Sequence, residues 1–463
     1  MATTASLAEG AQRELTGFSG ELIGPADPGY DDARKLYNAM IDKRPAVIAR
    51  CGSADDVAAA IGFARRHGAL LAVRGGGHNG GGLGSCDDGV VIDLGSLRGI
   101  KVDADARTVR VEGGATWREV DAATHAVGMA TPSGIIGSTG VGGLSLGGGI
   151  GYLSRRHGLT VDNILEAEVV LADGSRAHAS ATENPDLFWA IRGGGGNFGV
   201  VTAFVFRLHP VSTVVAGPTF WPIEQSDEVL RAYRGFLPAA DRDLNGFFAF
   251  ASVPPAPPFP EELHGRQVCG IVWCHLGSEE AAAAAMAPML AVGKPLMHGA
   301  GPVPFPGIQG AFDGLYPPGH QWYWRADFFR GLSDAAVDAH VEWGARMPTG
   351  HSTMHLYPID GAVHDVGEAE TPFSYRDVTL AEVIVGVDPD PANAETIKRW
   401  TVDYWDATHP HSAGGAYVNF MMDEGQERVR ATYRDNYDRL ARIKAAYDPE
   451  NLFRVNQNIH PAG

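Results

Sequence analysis

Val73-Arg74-Gly75-Gly76-Gly77-His78-Asn79-Gly80-Gly81-Gly82 sets a single histidine between two glycine triplets. A loop this poor in side chains leaves its backbone N–H groups free for a ligand, and successive N–H groups are a typical cradle for phosphate. His78 is the only imidazole in the stretch. The loop therefore predicts a binding site for a phosphate-bearing ligand that His78 contacts.

Composition and charge narrow the possible functions. The chain has 463 residues, 44% of them hydrophobic and 20% charged, as in a globular protein of about two or three domains. Its net charge of -18 repels nucleic acid and anionic lipid, so we expect neither as a partner. No window approaches the roughly 18 apolar residues of a membrane span, and the N-terminus lacks the pattern of a signal peptide. We therefore expect a cytoplasmic protein without membrane contact. Its four cysteines lack CxxC spacing, and no metal site is predicted.

The composition and the secondary-structure signals of the sequence change twice along the chain. Helix and strand signals alternate over residues 1–210, beginning with a helix that Ser53 caps and Gly68 ends. Over residues 211–400, aromatic strand-like segments such as QWYWRADFF alternate with proline-rich breaks. They predict a second domain with one large antiparallel sheet and helices on one side. Residues 401–463 form a tail, in which Asp423 to Ala446 is expected to be one long amphipathic helix.

Glycine motifs recur in the first domain. Gly75-Gly77-Gly80 and Gly194-Gly196-Gly199 both satisfy GxGxxG, but neither leaves a strand to open a helix, which argues against a Rossmann-type NAD site. No Gly-Lys-Ser/Thr follows, so a Walker A loop is absent as well. A third cluster spans residues 137–151. Three clusters are best explained by backbone that approaches an extended dinucleotide from several sides.

Four motifs carry a resemblance to a known family. They are RGGGHN with a following VVIDL, then TGVGGLSLGGGIGYLSRRHGLTVDN, ENPDLFWAIRGGGGNFGVVTAF and YDPENLFRVNQNI. In this order they resemble the vanillyl-alcohol-oxidase family of flavoproteins, in its berberine-bridge-enzyme and 6-hydroxy-D-nicotine-oxidase branch. The resemblance implies an α+β fold, in which residues 1–210 and 401–463 form a two-part FAD-binding domain. Residues 211–400 would form the substrate domain.

The resemblance also implies how FAD is held. His78 stands where the family bonds a histidine ring nitrogen to the 8α-methyl carbon of the flavin, and the neighbouring amides would hold the pyrophosphate. Many relatives have a second, cysteinyl link, but this chain has Ile136 there, so one covalent bond is expected. The predicted cofactor-binding residues are Arg74, Gly75, Gly76, Gly77, His78, Asn79, Gly80, Gly134, Gly137, Ser138, Thr139, Gly140, Gly142, Gly143, Gly199, Val201, Tyr417, Asn419, Asn456 and Asn458.

Catalytic candidates come from three places. Thr139 matches a family position that influences access of dioxygen, although it could instead donate a hydrogen bond to the flavin. In His351-Ser352-Thr353-Met354-His355-Leu356-Tyr357 every second residue is polar, so one strand face is predicted to carry His351, Thr353, His355 and Tyr357. This face either meets the substrate or is solvated. His355 is the candidate base, with a pKa expected near neutrality.

Two further sets of residues have alternative interpretations. Tyr417 matches a family position near the flavin or substrate, or is core packing with a satisfied hydroxyl. Trp322 and Trp324 share a strand face and form either an aromatic wall of the site or ordinary sheet core.

The function that the resemblance implies is oxidation of a small molecule by FAD. A substrate alcohol, amine, sugar or polyketide-like natural product would give a hydride to flavin N5, and dioxygen would reoxidise the flavin and form hydrogen peroxide. The aromatic second domain favours a flat, hydrophobic substrate. The alternatives are a flavin-N5-oxide monooxygenase of secondary metabolism, a dehydrogenase with another acceptor, and a non-catalytic flavin-binding protein.

Overall fold

The N-terminal part of the protein contains two small sheets. The structure, a computed structural model, describes residues 4–463. The strands of this part are β1 (Glu21–Ile23), β2 (Val47–Arg50), β3 (Leu71–Arg74), β4 (Val90–Asp93), β5 (Ile100–Asp103), β6 (Thr108–Glu112), β7 (Ile164–Val170), β8 (Arg176–Ser180) and β9 (Val200–Arg207). The first sheet has the order β1-β2-β4-β3, with β2, β4 and β3 parallel. The second is antiparallel and has the order β5-β6-β9-β7-β8.

Helices surround these two sheets. They are α1 (Thr4–Glu14), α2 (Tyr30–Ala33), α3 (Ala54–His67), α4 (Trp117–His125), α5 (Val141–Gly147), α6 (Ser154–His157) and α7 (Pro185–Ile191). The predicted bounds of α3 are confirmed, since the Ser53 hydroxyl accepts a hydrogen bond from the Asp56 N–H and Gly68 adopts a left-handed φ of 59°. The glycine loop around His78 joins β3 to β4, so it lies at the end of a parallel strand.

The middle part of the chain is built on one eight-stranded antiparallel sheet, as predicted. Its order is β13-β10-β12-β11-β16-β17-β15, with β14 also paired to β10. The strands are β10 (Thr213–Pro222), β11 (Leu244–Ser252), β12 (Gln267–His275), β13 (Met297–His298), β14 (Gly301–Pro304), β15 (Gln321–Phe329), β16 (Thr353–Pro358) and β17 (Leu380–Asp388).

Alternation along these strands gives the sheet two different faces. Phe248, Met354 and Ile384 point to a core that is closed by helices α8 (Ser226–Phe236), α9 (Glu279–Leu290), α11 (Asp334–Gly344) and α12 (Ala394–Thr408). The opposite face carries Phe247 and Val383, which pack with residues of the N-terminal part. The short helix α10 (Phe305–Gln309) precedes β15 on this second side. The sheet thus separates a helical layer from the layer that holds the site.

The C-terminal tail contains two helices where one was predicted. Helices α13 (Gln426–Tyr433) and α14 (Asn436–Tyr447) are separated at Arg434, whose φ is 44°. The Arg434 guanidinium bonds Asp377 at 2.7 Å and lies 3.6 Å from the Tyr375 ring centroid. The prediction of one continuous helix is therefore wrong. Arg434 adopts a left-handed conformation that its tertiary contacts accompany, and sequence periodicity does not reveal such a break.

The tail returns to the N-terminal part after these helices. The buried Lys444 ammonium donates hydrogen bonds to the carbonyl oxygen of Asn197 at 2.7 Å, the carbonyl oxygen of Phe453 and the Asp448 carboxylate. The Ile459 N–H donates to the Asn197 side chain at 2.9 Å. The end of the chain is thereby fixed beside the glycines that precede β9. Within residues 4–463, no helix combines the length and the apolar composition needed to cross a membrane.

Candidate active site

A cavity of about 340 Å³ lies between the N-terminal part, the large sheet and the C-terminal tail. Most residues predicted from the sequence line it, and they come from segments more than 300 residues apart. These are Arg74, Gly75, Gly76, Gly77, His78, Asn79, Gly134, Thr139, Gly140, Gly142, Gly143, Gly199, Val201, His355, Tyr417, Asn419 and Asn456.

Four predicted residues do not line the cavity. Gly80 lies beneath Trp324, since a Cβ atom there would be 2.9 Å from the indole. Gly137 and Ser138 lie behind the wall, where the Gly137 N–H donates to the Asp313 carboxylate at 2.7 Å. Asn458 does not line the cavity either, and its side-chain oxygen is buried and without a partner. Gly80, Gly137 and Ser138 support the cavity wall rather than form it.

Glycine is required where two segments of the wall cross. A Cβ atom on Gly140 would be 2.3 Å from the Gly76 nitrogen, and one on Gly76 would be 2.4 Å from the Gly140 nitrogen. The two backbones are therefore in direct contact, and no side chain fits between them. At Gly143 and Gly196, which also line the cavity, a Cβ atom would meet nothing within 4 Å. These two glycines border open space.

His78 is held between two groups. Its ring stacks on Tyr37 with 3.9 Å between the ring centroids, and its Nε2 atom is 3.2 Å from the Ser138 hydroxyl. Burial lowers the pKa of His78 to about 4 because the charged imidazolium loses solvation. The ring is therefore neutral at physiological pH, with one N–H group and one nitrogen lone pair.

The Tyr417 hydroxyl forms the second polar group of the cavity. It accepts hydrogen bonds from the Gly149 N–H at 2.6 Å and from the Asn419 amide at 2.7 Å. Burial raises the pKa of Tyr417 to about 12, although these donors oppose that rise. Because two N–H groups point at its oxygen, a negative charge on Tyr417 would be stabilised. Tyr417 lines the cavity, so it is more than core packing.

His355 lies on the sheet wall of the cavity. Strand β16 begins at Thr353, so His351 lies outside the strand and is exposed, whereas Thr353, His355 and Tyr357 share the predicted face. These three residues are buried, which rules out the solvated interpretation of that face. The His355 Nδ1 atom is 2.6 Å from the Tyr357 hydroxyl. The expected near-neutral pKa is wrong: burial lowers the pKa of His355 to about 3.

Aromatic side chains form the remainder of the wall. Trp322 and Trp324 both line the cavity, as the wall interpretation predicted, and their rings meet edge to face with centroids 6.0 Å apart. Sequence reasoning missed Tyr37, Phe312 and Tyr316. They lie in irregular segments without a motif, and no local signal in the sequence could have identified them. Thr139, at the turn before α5, also lines the cavity.

The residues present fit an FAD molecule. The wall between β3 and α5 has backbone N–H groups and bare glycines, which suit a pyrophosphate. The Arg74 guanidinium, bonded to Asp93 at 2.8 Å, keeps a buried nitrogen without a partner, and so does the side-chain oxygen of Asn456. Such atoms are rare unless a ligand satisfies them. Arg74, His78, Tyr417 and Asn456 are thus the side chains placed to contact the cofactor.

Comparisons with known proteins agree with this geometry. The family profile described as "FAD binding domain" matches residues 45–180, and "Berberine and berberine like" matches residues 416–460. These two matches contain the glycine loop and the Tyr417 segment, respectively. In sequence, one match precedes the strands of the large sheet and the other follows them. Both contribute residues to the same cavity.

Full-length relatives extend the match. The chain is 30% identical over 457 residues to the uncharacterized FAD-linked oxidoreductase YgaK of Bacillus subtilis, covering 97% of this chain and 98% of that protein. It is 30% identical over 460 residues to (R)-6-hydroxynicotine oxidase of Paenarthrobacter nicotinovorans, covering 96% and 98%. The crystal structure of 6-hydroxy-D-nicotine oxidase from Arthrobacter nicotinovorans superimposes with a TM-score of 0.86 at 26% identity, covering 96% of this chain and 99% of that one. The protein is therefore an FAD-dependent oxidoreductase that belongs to the berberine-bridge-enzyme-like branch of the vanillyl-alcohol-oxidase family.

Proposed function

We propose that this oxidoreductase is an oxidase for a flat, uncharged aromatic natural product, with FAD bonded to His78 and dioxygen as the electron acceptor. The observation that carries the proposal is that one cavity has two kinds of wall. Part of its lining is glycine backbone, and part is a set of aromatic side chains that includes Phe312, Tyr316, Trp322 and Trp324. The first suits a dinucleotide, and the second suits a planar substrate placed against it.

The charge of the cavity supports an uncharged substrate. Among the cavity-lining residues of the described chain, Arg74 is the only one with a permanent charge, and Asp93 neutralises it. A charged substrate would be buried here without a partner, which costs several kcal/mol. Among substrates that relatives are named for, the flat aromatic ring of a hydroxynicotine in its neutral amine form suits such a wall better than a xylooligosaccharide, whose hydroxyl groups would need many polar partners.

A single covalent link at His78 is part of the proposal. The neutral His78 ring offers a nitrogen lone pair at the cavity wall, held in place by Tyr37 and Ser138. Ile136 also lines the cavity, at the position where relatives with two links have a cysteine, and it offers no nucleophile. A histidyl bond would prevent loss of the cofactor and raise its tendency to accept electrons.

Two side chains are placed to handle the substrate proton. Bound FAD would take a hydride from the substrate and pass the electrons to dioxygen, which leaves as hydrogen peroxide. We assign proton abstraction to Tyr417, because the N–H groups of Gly149 and Asn419 stabilise its phenolate. Burial disfavours an imidazolium at His355, so this side chain orients the substrate as a neutral hydrogen-bonding group. Thr139 is proposed to control the access of dioxygen.

The proposal includes the division of the chain into residues 1–210, 211–400 and 401–463. It is supported by the large sheet, whose strands all lie between residues 213 and 388. A cytoplasmic location is proposed as well, supported by the four cysteines, which are buried and free. Fractionation of the native cells would test the location.

The experiment that tests the cofactor assignment is acid precipitation of the purified yellow protein. Flavin fluorescence retained in the denatured band is expected for the wild type and for His351→Ala, an exposed histidine outside the cavity. In His78→Ala the flavin should instead appear in the supernatant. Retained fluorescence in His78→Ala would refute the assignment of the link.

The substrate assignment is tested with a panel of aromatic alcohols, aromatic amines and oligosaccharides. Uncharged aromatic compounds should bleach the flavin without oxygen and release peroxide with oxygen. Bleaching without peroxide would indicate a dehydrogenase, and labelled oxygen in the product would indicate a monooxygenase. If no member of the panel bleaches the flavin, the non-catalytic alternative is favoured.

A further inference from the structure

An irregular segment of the middle part, residues 310–320, passes beside His78. Asp313 of this segment accepts hydrogen bonds from the backbone N–H groups of Gly137 at 2.7 Å and Ser138 at 3.4 Å through one carboxylate oxygen. Its second oxygen pairs with Arg118 at 2.7 Å. Ser138 in turn places its hydroxyl 3.2 Å from the His78 Nε2 atom. Asp313 thus contacts the short turn that supports the imidazole.

The same segment also supports the other side of the imidazole. The Tyr37 hydroxyl donates a hydrogen bond to the Tyr316 carbonyl oxygen at 2.6 Å, and the Gly319 N–H donates to the Tyr37 carbonyl oxygen at 3.1 Å. Tyr37 stacks on the His78 ring with an interplanar angle of 21°. Both groups that bracket His78 are therefore fixed by residues 310–320, which lie more than 170 residues away from either group in sequence.

We propose that Asp313 is a positioning residue for His78 and controls the attachment of FAD through Ser138. The inference rests on the covalent link proposed above. Asp313 fixes the backbone at residue 138, so the Ser138 hydroxyl faces Nε2 and accepts its N–H. The lone pair of the neutral ring then lies on Nδ1.

The reaction that would form this covalent bond balances in atoms and electrons. Attachment would form a C–N bond between the imidazole and the 8α carbon of bound FAD and would break one C–H bond of the methyl group and the imidazole N–H bond. Both hydrogens would leave as protons, and the two electrons would pass to dioxygen, which would become hydrogen peroxide. The Ser138 hydroxyl lies beside the departing Nε2 proton. A rotated imidazole would present the N–H instead of the lone pair, so attachment depends on the position of Ser138.

Asp313 connects two parts of the chain that are distant in sequence. Residues 310–320 follow helix α10, whereas His78 and Ser138 belong to the N-terminal part. FAD binding through the glycine walls does not involve Asp313, because this residue does not line the cavity. Loss of the Asp313 carboxylate should therefore slow attachment and leave the total FAD content close to that of the wild type.

The test follows covalent and total FAD in holoprotein purified at successive times after induction. Attachment in Asp313→Ala and in Ser138→Ala should be at least about tenfold slower than in the wild type, as expected when a reacting group is misplaced. The double variant should be no slower than the slower single variant, since both act through one contact. Asp313→Asn retains an acceptor oxygen for the two N–H groups and should attach FAD much faster than Asp313→Ala.

Arg118→Gln is the matched control, because it removes the exposed ion pair of Asp313 and leaves the two N–H bonds intact. Its attachment rate should equal that of the wild type. Wild-type attachment in Ser138→Ala, which deletes one oxygen atom and should fold, or in a folded Asp313→Ala protein, would overturn the role of Asp313. A wild-type protein without covalent FAD would refute the link itself, and the role of Asp313 with it.

Discussion

Replacing Gly143 by alanine is expected to reduce FAD binding without destabilising the fold. Gly143 lies in α5, lines the cavity and is exposed, and a Cβ atom there would meet nothing within 4 Å. Alanine in place of glycine inside a helix stabilises a protein by about 0.5–1 kcal/mol, so the fold should tolerate the change. The added methyl group would instead occupy space that we assign to FAD. Gly143→Ala should therefore fold and contain less FAD.

Two other glycines provide the comparison. Gly235→Ala lies in helix α8, away from the cavity, and its Cβ atom would also meet nothing within 4 Å. It should have full FAD content and a thermal midpoint higher by about 1 °C or less. At Gly140, the 2.3 Å approach of a Cβ atom to the Gly76 nitrogen is roughly 1 Å too short for contact. Because both partners are backbone, Gly140→Ala should cost about 1–3 kcal/mol or more.

The assay combines the ratio of flavin to protein absorbance with the midpoint of thermal unfolding. Since a bound cofactor stabilises the folded state, the midpoint of Gly143→Ala should fall together with its FAD content. Full FAD content in Gly143→Ala would refute the claim that the cofactor lies against residue 143. A wild-type midpoint and FAD content in Gly140→Ala would refute the claim that the two glycine segments are in direct contact.

Three further predictions concern proton and oxygen chemistry. With Tyr417 as base and a pKa of about 12, the rate of flavin reduction should rise about tenfold per pH unit between about pH 7 and pH 10. If His355 were the base, its pKa of about 3 would make the same profile flat. Thr139→Val should change the rate of flavin reoxidation far more than that of reduction in stopped-flow traces, and the reverse pattern would contradict its assignment to the oxygen path. His340 is fully buried with a pKa lowered to about 3, so it stabilises the protein above the unfolded-state pKa of about 6.5 and loses this contribution as pH falls. About 2 kcal/mol of the free energy of unfolding should be lost between neutral pH and pH 5. Urea unfolding of His340→Gln at these two pH values should show a smaller loss. An equal loss would count against this origin of acid sensitivity.

The sequence predicted the parts of the site that depend on local backbone. Ser53 and Gly68 fix the ends of α3, and the alternation of polar residues in β16 correctly places Thr353, His355 and Tyr357 on one face. Capping, glycine conformation and strand periodicity are set by neighbouring residues, so they can be read without the fold. The glycine loop around His78 indicated a phosphate-bearing ligand for the same reason.

Burial and distant contacts could not be predicted in this way. His355 was expected to titrate near neutrality, but burial lowers its pKa, and the rings of Phe247 and Phe312, from distant parts of the chain, pack against it. The break between α13 and α14 accompanies contacts of Arg434 with Asp377, 57 residues away. In both cases the deciding free energy comes from groups that are close only after folding.

The sequence by itself predicted a phosphate-bearing ligand for the bare glycine segments, and the resemblance of its motifs to a known family identified that ligand as FAD. Tertiary structure decided how the cavity is completed. It placed Tyr37 against His78, and it placed Tyr316 and Asp313 against the groups that hold His78. It also left the aromatic part of the cavity wall without charged side chains. These features depend on which segments of the chain come into contact on folding. Side chains lose their solvation only when those contacts have formed.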